Sequence, residues 1–200
     1  MELFGADPAA NLLPCDGEVN YFGPVLSPGA AGSLYECLLH TIPWKSDEVV
    51  LFGKRIITAR KVAWYGDANF SYTYSGTTKQ ALIWTPELAA LRTLIQTLTG
   101  DQYNSCLLNL YQSGNEGMGW HSDDEKSLDR KSSIASVSFG AIREFRFKHK
   151  VTGVKAAVQL DHGSLLVMRP GAQTHWLHSL PKTAKVGSPR INLTFRTMAF

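Results

Sequence analysis

Arg190-Ile191-Asn192-Leu193-Thr194-Phe195-Arg196 carries the reading of the fold. Successive side chains of a strand point to opposite faces. Ile191, Leu193 and Phe195 then share a face fit for a core, while Arg190, Asn192, Thr194 and Arg196 share the other. Facing water, the polar row would be ordinary. Facing the inside of a closed β-structure, it would bury two guanidinium groups, each costing several kcal/mol if left unpaired. An anion inside would offset that cost, and guanidinium suits a bidentate grip on a carboxylate.

Upstream, short strands are expected near 105–111, 134–139, 144–148, 154–160, 164–168 and 174–179, divided by Gly, Pro, Asp or Lys turns. Short strands without intervening helices indicate a sandwich or jelly roll rather than a parallel sheet. The first of them repeats the polar face, because Asn109 and Tyr111 alternate with Leu108 and Leu110.

The chain before this region reads differently. Ser27-Pro28 starts a helix that Pro43 stops, and Thr85-Pro86 starts another that Gly100 ends. Between them, Val49 to Phe52 meets a Gly53-Lys54-Arg55 turn, giving a hairpin with an aromatic at its tip. Trp64 to Asp67 reads as a turn. Phe70, Tyr72 and Tyr74 alternate on one face of a strand, where aromatics among basic residues suit stacking of an unpaired base, or simply a half-buried core. The expectation is one domain, 1–200, mainly β with flanking helices (α+β). Residues 1–25 are an arm, 26–100 hold the helices and hairpins, and 101–200 form the jelly-roll core.

The 200 residues are 44% hydrophobic and 18% charged, with a net charge of +3, so an anion-binding surface must be local. The three cysteines have no C-x-x-C spacing, which argues against a disulfide framework or zinc ribbon and for a reducing compartment. No apolar run approaches a membrane span, and Met1 to Asp7 has no secretory pattern.

Gly119-Trp120-His121-Ser122-Asp123-Asp124-Glu125 contains an H-x-D pair. In an extended segment both side chains reach one ion side by side, and a second histidine would complete a two-His-one-carboxylate site with open positions, as in non-haem Fe(II) oxygenases. By itself H-x-D is a common accident. The remaining ligand must come from His149, His162, His175 or His178, and spacing does not choose between the last two. His149 and His162 read as surface residues.

Taken together, Asn109-Leu110-Tyr111, His121 to Glu125, Ala135 to Gly140, His162 to Met168, His175 to Pro181 and Pro189 to Arg196 resemble the AlkB family of Fe(II)/2-oxoglutarate dioxygenases. The likeness extends back to Phe52 and is greatest to members that repair alkylated DNA. It implies a double-stranded β-helix, with His121, Asp123 and His178 as catalytic iron ligands. It assigns Asn109, Tyr111, Arg190, Asn192, Thr194 and Arg196 to the 2-oxoglutarate pocket, with Arg196 on the distal carboxylate. It further implies oxidative demethylation of 1-methyladenine and 3-methylcytosine with O2, releasing succinate and formaldehyde. Phe52, Gly53 and Lys54 would form a finger that fills the gap left by a flipped base. Tyr72, Thr73, Tyr74, Asp124 and Glu125 would line the lesion pocket, with Arg60 at the pocket or a phosphate. The implied partner is alkylated DNA, single- or double-stranded, or RNA. A monomer is expected, cytoplasmic in a bacterium or nuclear in a eukaryote. The competing readings are an oxygenase acting on RNA, protein or a small molecule, and a non-catalytic jelly-roll nucleic-acid binder. Val151 to Ala156 is short where duplex-preferring relatives carry a basic loop, which opposes the duplex preference that Phe52 suggests.

Overall fold

The computed structural model describes residues 6–51, 54–67, 70–74 and 77–199. In chain order its elements are β1 (Val19–Pro24), α1 (Pro28–Thr41), β2 (Lys45–Leu51), β3 (Lys54–Gly66), β4 (Ser71–Tyr74), β5 (Thr77–Gln80), β6 (Leu82–Ile83), α2 (Pro86–Thr99), β7 (Ser105–Tyr111) and β8 (Met118–His121). There follow β9 (Ile134–Gly140), β10 (Arg143–His149), β11 (Lys155–Leu160), β12 (Ser164–Met168), α3 (Ala172–His175), β13 (Trp176–Leu180) and β14 (Arg190–Arg196).

The larger sheet runs β1-β12-β9-β14-β7-β3-β2, with β6 paired to β3, and the smaller runs β11-β10-β13-β8. β14 is central in the larger sheet, flanked antiparallel by β7 and β9, with Asn192 level with both Asn109 and Ser138. Its apolar row of Ile191, Leu193 and Phe195 packs with residues of α1 and α2, including Leu38, Leu88 and Ile95. A second core holds Val19 and Leu166 of the larger sheet together with Phe147, Leu160 and Trp176 of the smaller one. The polar row of β14 therefore lies in the interior between the sheets, as its alternation predicts.

Both helices begin as the sequence indicates. Ser27 Oγ accepts from the Ala30 N–H, and Thr85 Oγ1 from the Leu88 N–H. Gly100 closes α2 at φ 75°, a left-handed cap that glycine adopts without strain. Gly140 has a second reason to be glycine. A Cβ there would lie 2.4 Å from the Pro189 carbonyl oxygen, where the chain turns into β14.

Four expectations need correction. Residues 1–25 are not merely an arm, since β1 pairs with β12 as the edge of the larger sheet. Its alternation is broken by a bulge between Tyr21 and Gly23, which hides the strand from a period-two reading. Trp64 to Gly66 are not a turn but the end of β3, which pairs with β7, so the sheet is not confined to 101–200. Segment 174–179 is not uniformly extended, because α3 occupies its start. The short edge strand β8 was not anticipated. The expected hairpin at Val49 to Arg55 does form between β2 and β3, with Leu51 opposite Lys54. Its tip residues, Phe52 and Gly53, lie outside the described residues.

Candidate metal centre

β8 and β13 are neighbours in the smaller sheet, and His121 is the register partner of His178. Their Nε2 atoms stand 3.1 Å apart. Asp123, two residues past the end of β8, brings Oδ1 to 3.8 Å from His121 Nε2 and 3.9 Å from His178 Nε2. The α3 turn decides between the two downstream histidines. His175 ends the turn and is exposed, whereas β13 points Trp176, His178 and Leu180 inward.

The donor set fits a divalent transition metal. One ion about 2.1 Å from each nitrogen would hold neighbouring donors about 3 Å apart. His121 Nδ1 lies 2.8 Å from the Gly119 carbonyl oxygen, an acceptor only, so Nδ1 carries the proton and Nε2 keeps its lone pair for the ion. Burial pulls His178 down to about 4 against the raising effect of Asp123, which leaves the imidazole neutral and able to ligate at neutral pH. Burial alone would raise the Asp123 carboxyl, but Arg196, then His178 and His121, hold it below the usual carboxylate range.

Among the described residues one other set of donors converges: Cys15, Asp16 and His149. His149 is buried rather than at the surface, and its Nδ1 accepts the backbone N–H groups of Val151 and Thr152 at 3.3 and 3.0 Å. That fixes the proton on Nε2, which faces Asp16 Oδ2 at 3.2 Å. A protonated nitrogen does not ligate, so this set is a poor metal site. His162 also turns inward, and its Nδ1 accepts the Gly140 N–H at 2.8 Å.

The inward face of β14 continues the site. Arg196 Nη2 donates to Asp123 Oδ2 at 2.6 Å. Burial lowers Arg196, but Asp123 and Glu125 outweigh it and raise it overall. Arg190, at the other end, is 3% exposed. It donates to Ser138 Oγ at 2.9 Å and sits over the Tyr111 ring, while its Nε has no partner. Burial pulls it down to about 10, with Tyr111 opposing and Arg143 adding to the shift. No carboxylate meets it among the described residues. Between the two arginines, Asn192 Nδ2 donates to Ser136 Oγ at 2.8 Å and Thr194 Oγ1 lies 3.2 Å from Asn192 Oδ1. Across the strand, Asn109 Oδ1 accepts from Arg60 Nη1 at 2.8 Å. An inward row of cationic, amide and hydroxyl groups thus adjoins the candidate ligands, and its chemistry suits a small dicarboxylate.

Arg60 therefore reaches this interior row. Asp124 is exposed and shares with Asp123 and Arg196 the wall of a cavity of about 200 Å³, while Glu125 is half-buried. Lys54 lies on β3, and Tyr72, Thr73 and Tyr74 lie on β4, paired to β5. Sequence reasoning passed over Ser136 and Ser138, whose alternation with apolar residues on β9 was the available signal. It also passed over Gln173, whose Oε1 accepts the Asp123 N–H at 2.9 Å and which no local pattern marks.

A jelly roll with a His-x-Asp and a distant His converging inside, beside one buried and one largely buried arginine, defines a class of metal-dependent oxygenases. The chain belongs to the 2OG-Fe(II) oxygenase superfamily, whose family model matches residues 18–196. It is 46% identical over 157 residues to mouse "DNA oxidative demethylase ALKBH2", covering 74% of this chain and 66% of that protein. The human protein of the same name is 46% identical over 156 residues, covering 74% and 60%. Bovine "Alpha-ketoglutarate-dependent dioxygenase alkB homolog 3" is 41% identical over 180 residues, covering 84% and 62%. The chain thus spans 60 to 66% of the length of these relatives. The solved structure of OsALKBH1 shares the fold with a TM-score of 0.61 at 14% identity, covering 92% of this chain and 98% of that one. These findings bear out the AlkB resemblance and the jelly-roll reading. Among the described residues, no helix is long and apolar enough to cross a membrane.

Proposed function

We propose that the chain demethylates alkylated bases in DNA, with 1-methyladenine and 3-methylcytosine as its lesions and Fe(II), 2-oxoglutarate and O2 as its reactants. The observation that carries this reading is Arg190, a buried cation that meets no carboxylate among the described residues, on the strand whose other end bonds the candidate ligand Asp123. His121, Asp123 and His178 would hold Fe(II), which together with 2-oxoglutarate and O2 supplies an oxidant able to hydroxylate an N-methyl group. The hydroxymethyl product then collapses to formaldehyde and the free base.

The chain's own part is binding and electrostatics. Asp123 is kept ionised by Arg196, and His178 is kept neutral by burial. Arg190 takes the distal carboxylate of 2-oxoglutarate, helped by Tyr111 and Ser138. This revises the role that the resemblance gave to Arg196. Its 2.6 Å bond to a candidate ligand supports a place at the metal end, too far along the strand for the distal carboxylate. Asn109, Asn192 and Thr194 fill the length between. A methyl on the pairing edge is hidden in a duplex, so the base must leave the stack or come from a single strand. Phe52, Gly53, Lys54, Tyr72, Thr73, Tyr74, Asp124 and Glu125 are the residues proposed to receive it. The names of the relatives, DNA oxidative demethylases, support this substrate class.

The test is incubation with Fe(II), 2-oxoglutarate, ascorbate and oligonucleotides carrying 1-methyladenine in single- and double-stranded form. Formaldehyde and repaired base are expected from the native chain and not from Asp123→Ala. Succinate without formaldehyde would move the same chemistry to another substrate. The single- to double-strand ratio weighs the Phe52 finger against the short turn between β10 and β11.

A further inference from the structure

β8 is an edge strand that ends at His121, so Asp123 lies beyond the sheet's backbone ladder. It is nevertheless gripped from behind. Its N–H donates to Gln173 Oε1 at 2.9 Å, and a backbone donor fixes which end of that amide faces it. Gln173 Nε2 meets Met168 Sδ at 3.2 Å, which steadies the side chain. The Gln173 carbonyl accepts from Lys150 Nζ at 2.8 Å, and the same ammonium reaches Ser122 Oγ at 3.2 Å. Lys150 is itself tied to the segment that delivers His178, because its backbone N–H donates to the His175 carbonyl. The turn bearing Asp123 and the connection leading to His178 are thus joined by two side chains, Gln173 and Lys150, neither of which is among the converging donors.

We propose that Gln173, braced by Lys150, is a positioning residue for Asp123. A carboxylate on an untethered turn would have to be ordered as the ion binds, and the clamp removes that cost. Loss of such an outer partner typically lowers metal affinity by about 10- to 100-fold. The inference rests on Asp123 being a ligand and not on the nucleic-acid substrate.

The full chain, stripped with a chelator, is titrated with Co(II) while the ligand-field absorption is followed. Gln173→Met keeps the length and loses the acceptor. It is expected to bind Co(II) about 10-fold more weakly, with shifted bands. Gln173→Glu keeps an acceptor oxygen and is expected to restore most of the affinity. Native-like affinity and bands in Gln173→Met would overturn the proposal. Thermal unfolding of the metal-free proteins checks the fold. Should Gln173→Met lack a cooperative transition, Lys150→Met decides, with weaker Co(II) binding expected and unchanged binding counting against the clamp. Asp123→Ala separates the levels: native-like Co(II) binding there would remove the ligand assignment, and the clamp with it.

Discussion

Arg190 and Arg196 occupy the same face of one strand, yet their surroundings are opposite. Arg196 is held by the carboxylate of Asp123. Arg190 has a serine hydroxyl and an aromatic face, and no carboxylate meets it among the described residues, although both arginines leave Nε without a partner. A buried ion pair is a settled element of the apo fold, because breaking it leaves a charge stranded. A buried lone cation is an unsettled one, and a ligand can settle it. Under the proposed function, the contrast separates a group that shapes the candidate metal centre from a group left to bind the co-substrate.

The largest effect expected is that of Asp123→Ala, which removes a candidate metal ligand and strands Arg196 together. Metal affinity should fall by more than about 100-fold. Urea denaturation of the metal-free variant should show a loss of about 3 kcal/mol, typical of one partner removed from a buried pair. Unchanged apo stability would mean that Arg196 does not depend on Asp123, and the asymmetry would be gone.

Arg190→Met should act in the opposite sense on the apo fold. Exchanging an unpaired buried cation for an apolar side chain should leave stability unchanged or raise it by about 1 to 3 kcal/mol. The same change should weaken 2-oxoglutarate binding by about 100-fold, the equivalent of one or two charge-assisted hydrogen bonds. Titration of the anaerobic Mn(II) form measures that loss. A destabilised variant with native 2-oxoglutarate affinity would make Arg190 a structural residue.

Arg196→Met sharpens the division between the two ends. Metal affinity should fall by about 10-fold, since Asp123 loses the partner that orients it. Affinity for 2-oxoglutarate should fall less than in Arg190→Met, and the reverse order would return the distal carboxylate to Arg196.

The strand carrying both arginines was legible because its alternation is strict and one row is wholly apolar. The same alternation exposed Asn109 and Tyr111 on β7. What was not legible has physical causes. β1 is broken by a bulge, and β8 is too short to show a period. Spacing could not separate His175 from His178, because the α3 turn shifts the phase of the alternation just before β13. The proposed exchange of roles between Arg190 and Arg196 was hidden for a related reason. Sequence shows which face a residue occupies, but not that the loop after β8 folds back to place Asp123 against it. Gln173 was invisible for the same cause, since its partner lies 50 positions away.

The smallest effect concerns the second convergence of donors, at Cys15, Asp16 and His149, and it tests whether hydrogen bonds alone can rank two candidate metal sites. His121 gives a proton to a carbonyl through Nδ1 and keeps its Nε2 lone pair, whereas His149 spends its Nδ1 lone pair on two backbone amides. Nε2 of His149 then carries the proton toward Asp16, although the pair is not aligned as a hydrogen bond. Asp16 is largely exposed, so Asp16→Asn should cost at most about 1 kcal/mol in urea denaturation. Metal content should stay at one Co(II) for each chain in the native protein and in this variant. A second equivalent that disappears in Cys15→Ser would show that His149 exchanges its tautomer to bind, and the hydrogen-bond ranking would fail.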